Sequence, residues 1–600
     1  MFEIEDDSQK LFTRRALLLG GGKALLMSSL IARMHYLQVE MSSHYKVLSD
    51  SNRVLTRLII PPRGHFLDRK GRMLATNINT YQAVVQRHVV EDEKALINKL
   101  ADLLNLTDEE LERINTDMKK MPRYIPLKIK DELNWDEVAR LELRLPNLTG
   151  LRIERNKTRK YKYPLALCHV LGYVSTVSDR DLGKDPLLMQ PGFRIGKGGL
   201  EKQYDTQLRG KAGIKQVEIN AARRVVRELD TKASAPGQDL KLTLDFDLQQ
   251  RLMERLKPEI TGATVIIDPR NGDILALCSE PNYDINMFTN GISTKNWKGL
   301  LQDEHKPLLD RATLGLYAPG STFKMMVALS ALQAGVIDTK TRFSCPGYIM
   351  LGSHKFRCWK HSGHGSMNVN SAITQSCDVF FYNISALVGP DKLAEMCAHF
   401  GLGIETGIDM PVERSGLIPT TKWKEKRYRD KWRRGDSYNT GIGQGYVLTS
   451  PLQLALMTAR IANRGKMVVP RLVRPEQEPE VKLMDVDQKH IEVVRQGMID
   501  VVARGTAARS RIDIESKRMA GKTGTAQVIT YTDKARALGR HKSTTEWKYR
   551  DHALFVGFSP LEDPKFAIAV VIEHGGSGSK KAAPIAKEMM LAAHELVRDV

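Results

Sequence analysis

The residue types best suited to covalent chemistry lie in three short clusters along the chain. Ser321-Thr322-Phe323-Lys324 comes first, Ser376-Cys377-Asp378 begins 55 residues after it, and Lys522-Thr523-Gly524 begins 146 residues later still. A serine hydroxyl is a weak nucleophile at neutral pH and needs a neighbouring base before it attacks a carbonyl group. Serine and lysine clusters in this order predict a serine acyl-transfer site.

In the first cluster, Ser321 and Lys324 are spaced so that they lie on one side of a helix. Residues 321–334 contain no glycine or proline and are apolar on almost every face, which predicts a buried helix. Positions i and i+3 are neighbours on a helix surface. A lysine that is removed from water beside other cations loses its proton more easily, so we expect Lys324 to accept the proton of Ser321. The alternative is an ordinary helix start with a solvated lysine.

The second cluster supplies a hydroxyl group and a carboxylate for proton transfer. We expect Ser376 and Asp378 to relay a proton to the leaving amine, and Lys522 to hold a positive potential over the site. Each of these residues, taken alone, is also compatible with an ordinary surface position. The three clusters together favour the catalytic interpretation.

The third cluster continues into a segment typical of an exposed edge strand. Thr523 and Thr525 are the residues expected to bind a substrate carboxylate, and Gly524 leaves space for the substrate backbone to lie along the strand. The backbone N–H groups of Ser321 and Thr525 are candidate donors for an oxyanion hole, which stabilises a tetrahedral intermediate.

Longer motifs around the clusters show which family the chain resembles. Together with the three clusters, they make it similar over nearly its whole length to the class B penicillin-binding proteins, most of all those of the penicillin-binding protein 2 type. The motifs are Arg63-Gly64-His65-Phe66-Leu67-Asp68-Arg69, Tyr163-Pro164, Gly198-Gly199-Leu200-Glu201, Tyr317-Ala318-Pro319-Gly320-Ser321 and Gly443-Gln444-Gly445.

The resemblance implies a fold and an activity. The fold is an α/β penicillin-recognising serine transpeptidase domain, a sheet flanked by helices, with an elongated N-terminal pedestal domain and one transmembrane helix. The activity is that of a peptidoglycan D,D-transpeptidase, which cross-links stem peptides during cell elongation. Ser321 would form an acyl-enzyme with the penultimate D-alanine and would be acylated by β-lactams. The reaction itself requires no cofactor.

Three other interpretations stay open at this stage. Septal class B transpeptidases usually carry asparagine at the position of Asp378, which, with Gly363-His364-Gly365, favours the elongation type. Class D β-lactamases share the Ser321-Thr322-Phe323-Lys324 pattern but lack a long pedestal and carry a hydrophobic residue at the position of Asp378. The third interpretation is a non-catalytic β-lactam sensor or scaffold.

The composition indicates which kinds of partner the protein is expected to have. The chain has 600 residues, is 42% hydrophobic and carries a formal net charge of +21. Its length and hydrophobic content suffice for two or three domains. The positive residues are dispersed and show no nucleic-acid-binding motif. Anionic lipid and cell-wall polymer are therefore the expected environment, with no nucleic-acid partner.

A membrane anchor is expected near the N-terminus. Residues 16–32 are apolar except for Lys23 and two serines, and 17 helical residues span about 26 Å, slightly less than a hydrocarbon layer of roughly 30 Å. An extension toward Leu37 would give the missing length, whereas Lys23 is costly unless it faces a partner. The alternatives are a cleaved signal peptide, a twin-arginine export signal and a buried soluble helix.

Breaker residues divide the remaining chain. Ala233-Ser234-Ala235-Pro236-Gly237 is rich in small and turn-forming residues and marks a domain boundary. We expect a cytoplasmic tail at residues 1–13, a transmembrane signal-anchor at 14–37, a pedestal at 40–235 and a transpeptidase domain at 236–600. This arrangement places the protein in the inner membrane as a single-pass protein with its catalytic domain in the periplasm.

Local signals predict several elements of the chain. Thr107-Asp108-Glu109-Glu110 is a capping box that begins a helix, and Asn134 is the N-cap of another. We expect a helix at Phe246–Leu256, a β-hairpin at Thr264–Asp268 and Ile274–Leu277, and strands at Ala553–Phe558 and Ala567–Ile572. The remaining cysteines, Cys168, Cys278 and Cys397, lie in apolar contexts and are expected in the core.

Three of the six cysteines and one histidine form a possible metal site. Cys345, Cys358, His364 and Cys377 have the ligand types and number of a closed tetrahedral zinc site. The position of His364 also resembles a cluster in some relatives of the penicillin-binding protein 2 type. A structural zinc ion there would brace the second cluster, because Cys377 lies between its serine and aspartate. A Cys345–Cys358 disulfide and simple burial of the thiols are the alternatives.

The resemblance also implies partners. No glycosyltransferase signature is recognisable in residues 40–235, so the stem peptides would be presented on lipid-linked glycan strands that another protein polymerises. A SEDS-type glycosyltransferase and the proteins of the elongation complex are the partners that the resemblance implies. Lys23 would face the polymerase within the membrane.

Overall fold

The structure is a computed structural model, and it describes residues 4–42, 54–123, 125–181, 183, 185–189, 193–219, 225–289, 291–528 and 546–597. Helices and strands are numbered in chain order within these ranges. The chain forms two compact units, Met1–Pro61 with Gly210–Pro236, and Pro62–Arg209 with Gly237–Val600. In the first unit, helix α1 spans Ile4–His35, and a sheet has the order β1-β8-β9 (Val54–Ile59, Gly213–Ile219 and Val225–Lys232).

The apolar part of α1 has the length and composition of a membrane-crossing helix. Ala16–Glu40 covers 25 residues with a mean hydropathy of 1.3. At helical rise this length corresponds to roughly 38 Å, more than a hydrocarbon layer of roughly 30 Å. The segment that the sequence predicts at residues 14–37 therefore lies on a continuous helical stretch, and the residues after position 32 supply the missing length.

The second unit begins with a sheet packed against helices. Its strands have the order β10-β2-β3-β4, with β5 beside β3. The predicted capping box at Thr107 and the predicted N-cap at Asn134 are confirmed. Each residue exchanges hydrogen bonds with a glutamate three residues later, so Asn134 also forms a capping box. The elements are β2 Phe66–Leu67, β3 Met73–Val85, α2 Glu93–Leu104, α3 Asp108–Lys120, β4 Leu127–Leu133, α4 Trp135–Glu142, β5 Leu151–Tyr161 and β10 Leu240–Lys241.

Short elements connect this sheet to the rest of the unit, and two of the sequence motifs meet among them in a buried ion cluster. Arg63 Nε and Arg159 Nε each lie 2.7 Å from a carboxylate oxygen of Glu201, which is fully buried. Burial opposes ionisation of Glu201, but Arg159 and Arg63 outweigh it and hold its pKa below the usual value. The elements are α5 Cys168–Leu171, β6 Val174–Thr176, β7 Arg194–Gly196, α6 Gly199–Gln203 and α7 Asp205–Arg209.

The carboxy-terminal part of the unit is built on an antiparallel sheet of order β12-β11-β19-β18-β17. Every residue of β11, β12 and β19 is buried, so both faces of the sheet are covered. The predicted hairpin and the two carboxy-terminal strands are confirmed. The strands are β11 Gly262–Ile267, β12 Ile274–Glu280, β17 Ala520–Ala526, β18 His552–Ser559 and β19 Phe566–Ile572.

Helices and two small two-stranded sheets surround this sheet and give the predicted α/β class. The helix predicted at residues 246–256 has those bounds. The helices are α8 Phe246–Leu256, α9 Asn286–Thr289, α10 Thr294–Gln302, α11 Lys324–Gln333, α12 Val369–Gln375, α13 Asp378–Val388, α14 Pro390–His399, α15 Thr421–Tyr428, α16 Arg434–Gly441, α17 Pro451–Ala462, α18 Gln488–Arg504 and α19 Ala583–Leu596. In the small sheets, β13 Phe343–Cys345 pairs with β16 Gly365–Met367, and β14 Tyr348–Leu351 forms a hairpin with β15 His354–Arg357.

Candidate active site

The first cluster lies where a tight turn leads into a buried helix. Gly320–Phe323 form a 3₁₀ turn, and the α-helix begins only at Lys324. The prediction of one continuous helix from Ser321 is therefore wrong in its first turn, although the predicted burial of the helix is confirmed. The side chain of Lys324 is completely buried, whereas Ser321 is partly accessible. The turn thus places the hydroxyl group at the surface of a cleft and the amine beneath it.

The second cluster lies between two helices. Ser376 ends α12 in the left-handed region, with φ 56°, and Cys377 precedes α13, whose first residue is Asp378. A non-glycine residue with positive φ is uncommon and is found at turns and functional sites. This backbone turn points the Ser376 hydroxyl group toward the first cluster, where its oxygen lies 3.0 Å from Ser321 Oγ.

Both lysines donate to the same hydroxyl oxygen. Ser376 Oγ accepts from Lys324 Nζ at 3.2 Å and from Lys522 Nζ at 2.9 Å. Lys324 Nζ also donates to the backbone oxygen of Ser376 at 2.9 Å. Among the hydrogen bonds of the described residues, Lys324 reaches Ser321 only through Ser376, so the direct contact expected from the sequence is replaced by a three-residue chain.

The carboxylate of Asp378 is held from two sides. Its Oδ1 lies 2.7 Å from Lys324 Nζ, and its Oδ2 accepts from the backbone N–H of Trp359 at 2.8 Å. The Trp359 ring is 55% exposed, and its indole N–H donates to the Gln375 oxygen at 3.0 Å. The sequence contains no signal for Trp359, because only the tertiary structure brings the segment after β15 to the second cluster.

The two buried lysines have different electrostatic surroundings. Lys324 has the charged partner Asp378 at hydrogen-bonding distance. Burial and the positive charge of Lys324 lower the pKa of Lys522 well below its usual value. A lysine amine whose pKa is lowered in this way is neutral over a wider pH range, and a neutral amine accepts a proton.

The third cluster lies on the edge strand of the sheet, as predicted. β17 pairs only with β18 in the sheet order, so its other edge has no strand partner and lies beside the turn that carries Ser321. Thr525 is exposed, while Thr523 is nearly buried and its Oγ1 lies 2.8 Å from Thr506 Oγ1. A Cβ at Gly524 would lie 2.9 Å from the Thr322 methyl group. Glycine therefore lets the strand approach the turn that carries the serine.

A loop that the sequence motifs include braces this turn from another direction. Gly320 N donates to the Gly443 oxygen at 2.9 Å. Gly443 has φ 67°, and a Cβ there would lie 2.3 Å from the Gly320 oxygen, closer than any side chain tolerates. The Gly443-Gln444-Gly445 motif thus packs directly against the residue before Ser321.

The cysteine–histidine cluster lies behind the second cluster. One ligand atom from each of Cys345, Cys358, His364 and Cys377 lies within 4.8 Å of all the others. His364 Nδ1 is 3.6 Å from Cys345 Sγ and 3.4 Å from Cys358 Sγ. All six cysteines of the chain are free thiols in the structure, so the alternative of a Cys345–Cys358 disulfide is not observed.

The donor set has the character of a closed metal site. The three sulfur atoms belong to buried residues, and a hydrogen bond from Cys377 lowers the pKa of Cys358 to about 5. A thiolate is the form that binds metal. The remaining cysteines, Cys168, Cys278 and Cys397, are buried as predicted, and His361 is exposed.

Comparison with known proteins shows the family to which the chain belongs. The penicillin binding protein transpeptidase domain matches residues 262–591, and the penicillin-binding protein dimerisation domain matches residues 58–242. The peptidoglycan D,D-transpeptidase MrdA of Escherichia coli K12 is 38% identical over 95% of this chain and 92% of its own length.

Two solved structures are also similar to the chain. The penicillin-binding protein 2 of Helicobacter pylori, solved in complex with MreC, is 33% identical, with a TM-score of 0.81 over 90% of this chain and 99% of that one. A peptidoglycan synthase complex, described as coordinating polymerization and crosslinking, contains a chain that is 30% identical, with a TM-score of 0.70 over 98% and 99% of the two chains. This protein therefore belongs to the penicillin-binding proteins, in the penicillin-binding protein 2 group, with a dimerisation domain followed by a transpeptidase domain.

Proposed function

We propose that this protein is the peptidoglycan D,D-transpeptidase of cell elongation and that Ser321 is its nucleophile. Ser321 Oγ attacks the carbonyl carbon of the penultimate D-alanine of a stem peptide, and the terminal D-alanine leaves as an amine. An amine of a neighbouring stem peptide then attacks the acyl-enzyme and forms the cross-link. The observation that carries this proposal is the hydrogen-bond chain from Ser321 through Ser376 to two buried lysines.

The same chain provides the route for the proton. The Ser321 proton passes to Ser376, whose own proton passes to a neutral lysine amine. The lowered pKa of Lys522 favours its amine as the acceptor, and the ion pair with Asp378 holds Lys324 in place. Returning the proton along the chain protonates the leaving amine. This route assigns catalytic roles to Ser321, Lys324, Ser376, Asp378 and Lys522.

The edge strand β17 provides the binding groups for the substrate. The substrate backbone lies along the edge of the strand at Gly524, and Thr523 and Thr525 bind the terminal carboxylate. The backbone N–H groups of Ser321 and Thr525 point at the developing oxyanion. The closeness of the two segments supports this role, since a Cβ at Gly320 would lie 2.8 Å from the Thr525 oxygen.

We propose that the cysteine–histidine cluster holds one structural zinc ion. Three cysteine sulfurs and one imidazole nitrogen are the donors of a closed tetrahedral site, and their close grouping supports this assignment. Bound zinc would supply no chemistry to acyl transfer. The four ligands would fix Cys377, and therefore the positions of Ser376 and Asp378 on either side of it.

The membrane location and the partners follow from the resemblance. We propose an uncleaved signal-anchor at residues 14–37, a short cytoplasmic tail at 1–13, and a pedestal (40–235) and a transpeptidase domain (236–600) in the periplasm. The names of the similar structures, which include MreC and a peptidoglycan synthase complex, support elongation-complex partners and a SEDS-type polymerase of lipid-linked glycan strands. Lys23 would face that polymerase, so Lys23→Leu should weaken co-purification.

Labelling with a fluorescent penicillin tests the proposed function. Wild-type protein should form a stable adduct whose mass is that of the protein plus the drug, and Ser321→Ala should form none. Rapid loss of the adduct with release of hydrolysed drug would instead indicate a β-lactamase. An unchanged adduct in Ser321→Ala would contradict the assignment of the nucleophile.

A further inference from the structure

A strongly basic segment with an aromatic cluster borders the candidate active site. We call residues 421–434 with Tyr446 the basic aromatic patch. The patch contains eight lysine and arginine residues, and the segment has only three acidic residues as far as position 436. None of these residues has a role in the acyl-transfer site described above.

The acidic residues of this segment are largely used to hold it in place. Lys424 is buried on α15 and lies 2.5 Å from Asp436 and 3.4 Å from Asp430. Arg433 lies 3.1 Å from Asp430. Within the described ranges, six further cations of the patch are exposed and form no ion pair, namely Lys422, Lys426, Arg427, Arg429, Lys431 and Arg434. The patch therefore presents an excess positive charge to solvent.

Three aromatic rings lie beside these cations. The ring centroid of Trp423 is 5.1 Å from that of Tyr446 and 5.7 Å from that of Tyr428, and the two tyrosine rings are 5.2 Å apart. Tyr428 is 51% exposed. Flat, partly exposed rings next to free cations can contact the apolar parts of a ligand while the cations bind its charges.

The aromatic cluster is connected directly to the catalytic turn. Tyr446 follows the Gly443-Gln444-Gly445 motif, in which the Gly443 oxygen accepts from Gly320 N at 2.9 Å. The side chain of Gln444 donates to the Thr525 oxygen at 3.5 Å. The patch is thus linked through Tyr446 and this loop to the two segments that lie beside Ser321.

We propose that the basic aromatic patch binds the carboxylate-bearing stem peptide of a peptidoglycan strand and guides it to Ser321. This inference rests on the proposed function and names the part of the substrate that a second surface recognises. Stem peptides carry several free carboxylates, which are the charges that exposed lysine and arginine attract. The position of the patch beside the nucleophile favours a peptide substrate over a membrane surface or a nucleic acid.

Charge reversal tests this proposal with a matched control. Lys426→Glu/Arg427→Glu changes two exposed cations of the patch. Lys295→Glu/Lys298→Glu on α10 changes the net charge equally at exposed positions outside it. The substrate is a thioester of an acidic stem peptide, compared with an analogue whose side carboxylates are carboxamides. We expect the patch variant to lose about tenfold in kcat/KM for the acidic thioester and little for the carboxamide.

Two assays show whether the patch binds the donor peptide or the acceptor peptide. A loss in hydrolysis without added amine assigns the patch to the donor peptide, and a loss only in transfer to an acidic acceptor amine assigns it to the acceptor. Fluorescent penicillin lacks the extended peptide and should acylate wild type and both variants equally. Absence of this acylation from wild type would contradict the proposed function itself.

Three results overturn the patch proposal while the proposed function stands. The first is unchanged kinetics of the patch variant with both thioesters, and the second is an equal loss in the α10 control. The third is unchanged peptide kinetics together with lost binding to vesicles of anionic phospholipid, which would assign the patch to a membrane surface.

Discussion

Lys522 and Ser321 are connected through a single hydroxyl group. Ser376 Oγ lies 2.9 Å from Lys522 Nζ and 3.0 Å from Ser321 Oγ. The nucleophile and the buried amine belong to segments 201 residues apart in the chain, yet one intervening side chain connects them. Removing that side chain should break the proton route without moving either end.

Ser376→Ala should slow acylation by a fluorescent penicillin by about 10²-fold or more, because a positioned proton-transfer group contributes about that much. The second-order acylation rate constant is the measurement. Ser293→Ala, which removes a hydroxyl group before α10, serves as a control and should acylate at the wild-type rate. A wild-type rate for Ser376→Ala would exclude the proton route through this residue.

The pH dependence of acylation should report the lowered pKa of Lys522. Burial and Lys324 lower this pKa, and Asp378 raises it. Wild-type acylation should therefore persist to a lower pH than the ordinary lysine pKa of about 10.4 would allow. Asp378→Asn removes the negative charge that raises the pKa of Lys522. The acidic limb of the pH–rate profile should therefore move further to lower pH. A shift to higher pH would contradict this assignment.

Lys522→Arg should abolish most acylation although it keeps a basic side chain at this position. A guanidinium group stays protonated throughout the accessible pH range and cannot accept a proton. Acylation rates of wild type and variant from pH 6 to 9, with circular dichroism to confirm folding, form the measurement. An active Lys522→Arg enzyme would show that the charge alone is sufficient.

The purified protein should contain one zinc ion per chain by elemental mass spectrometry, and Cys358→Ser should contain none. Because Cys377 lies between Ser376 and Asp378, loss of the metal should lower both the melting temperature and the acylation rate. Cys397→Ser, at a buried cysteine outside the cluster, should retain the metal. A full complement of zinc in Cys358→Ser would remove this residue from the ligand set.

Glu201→Gln should destabilise the protein, because it leaves the buried Arg159 without a charged partner and Arg63 with Asp205 alone. Breaking a buried ion pair typically costs about 3–5 kcal/mol. The pKa of Glu201 is lowered in the folded state, so its contribution is complete above the unfolded pKa of about 4.3 and is lost as the pH falls through the folded pKa. Denaturant unfolding of wild type and variant at pH 7 and pH 4 measures the difference.

The matched control for this prediction is Asp513→Asn, which breaks the exposed pair of Asp513 with Arg511. Exposed ion pairs contribute little, so its unfolding midpoint should not change. If Glu201→Gln has the same midpoint as this control, the buried cluster does not stabilise the pedestal.

The residue types of the acyl-transfer site, their order and the family can all be recognised from the amino-acid sequence alone. Three chemical clusters on one chain are informative because acyl transfer requires a nucleophile, a base and a carboxylate-binding strand. Local elements were also predictable where their signals are local. The two capping boxes and the helix Phe246–Leu256 depend on residues a few positions apart.

The hydrogen bonds that connect the residues of the site depend on the tertiary structure. The 3₁₀ turn before Lys324 and the left-handed backbone at Ser376 insert one serine between the nucleophile and the lysines, where the spacing i and i+3 predicted a direct contact. The contact of Trp359 with Asp378 and the packing of Tyr446 against the basic segment became visible only in space, because contacts between separate segments depend on packing. Helical periodicity identifies the buried face of a single helix. Which segment packs against that face depends on the packing of the whole core.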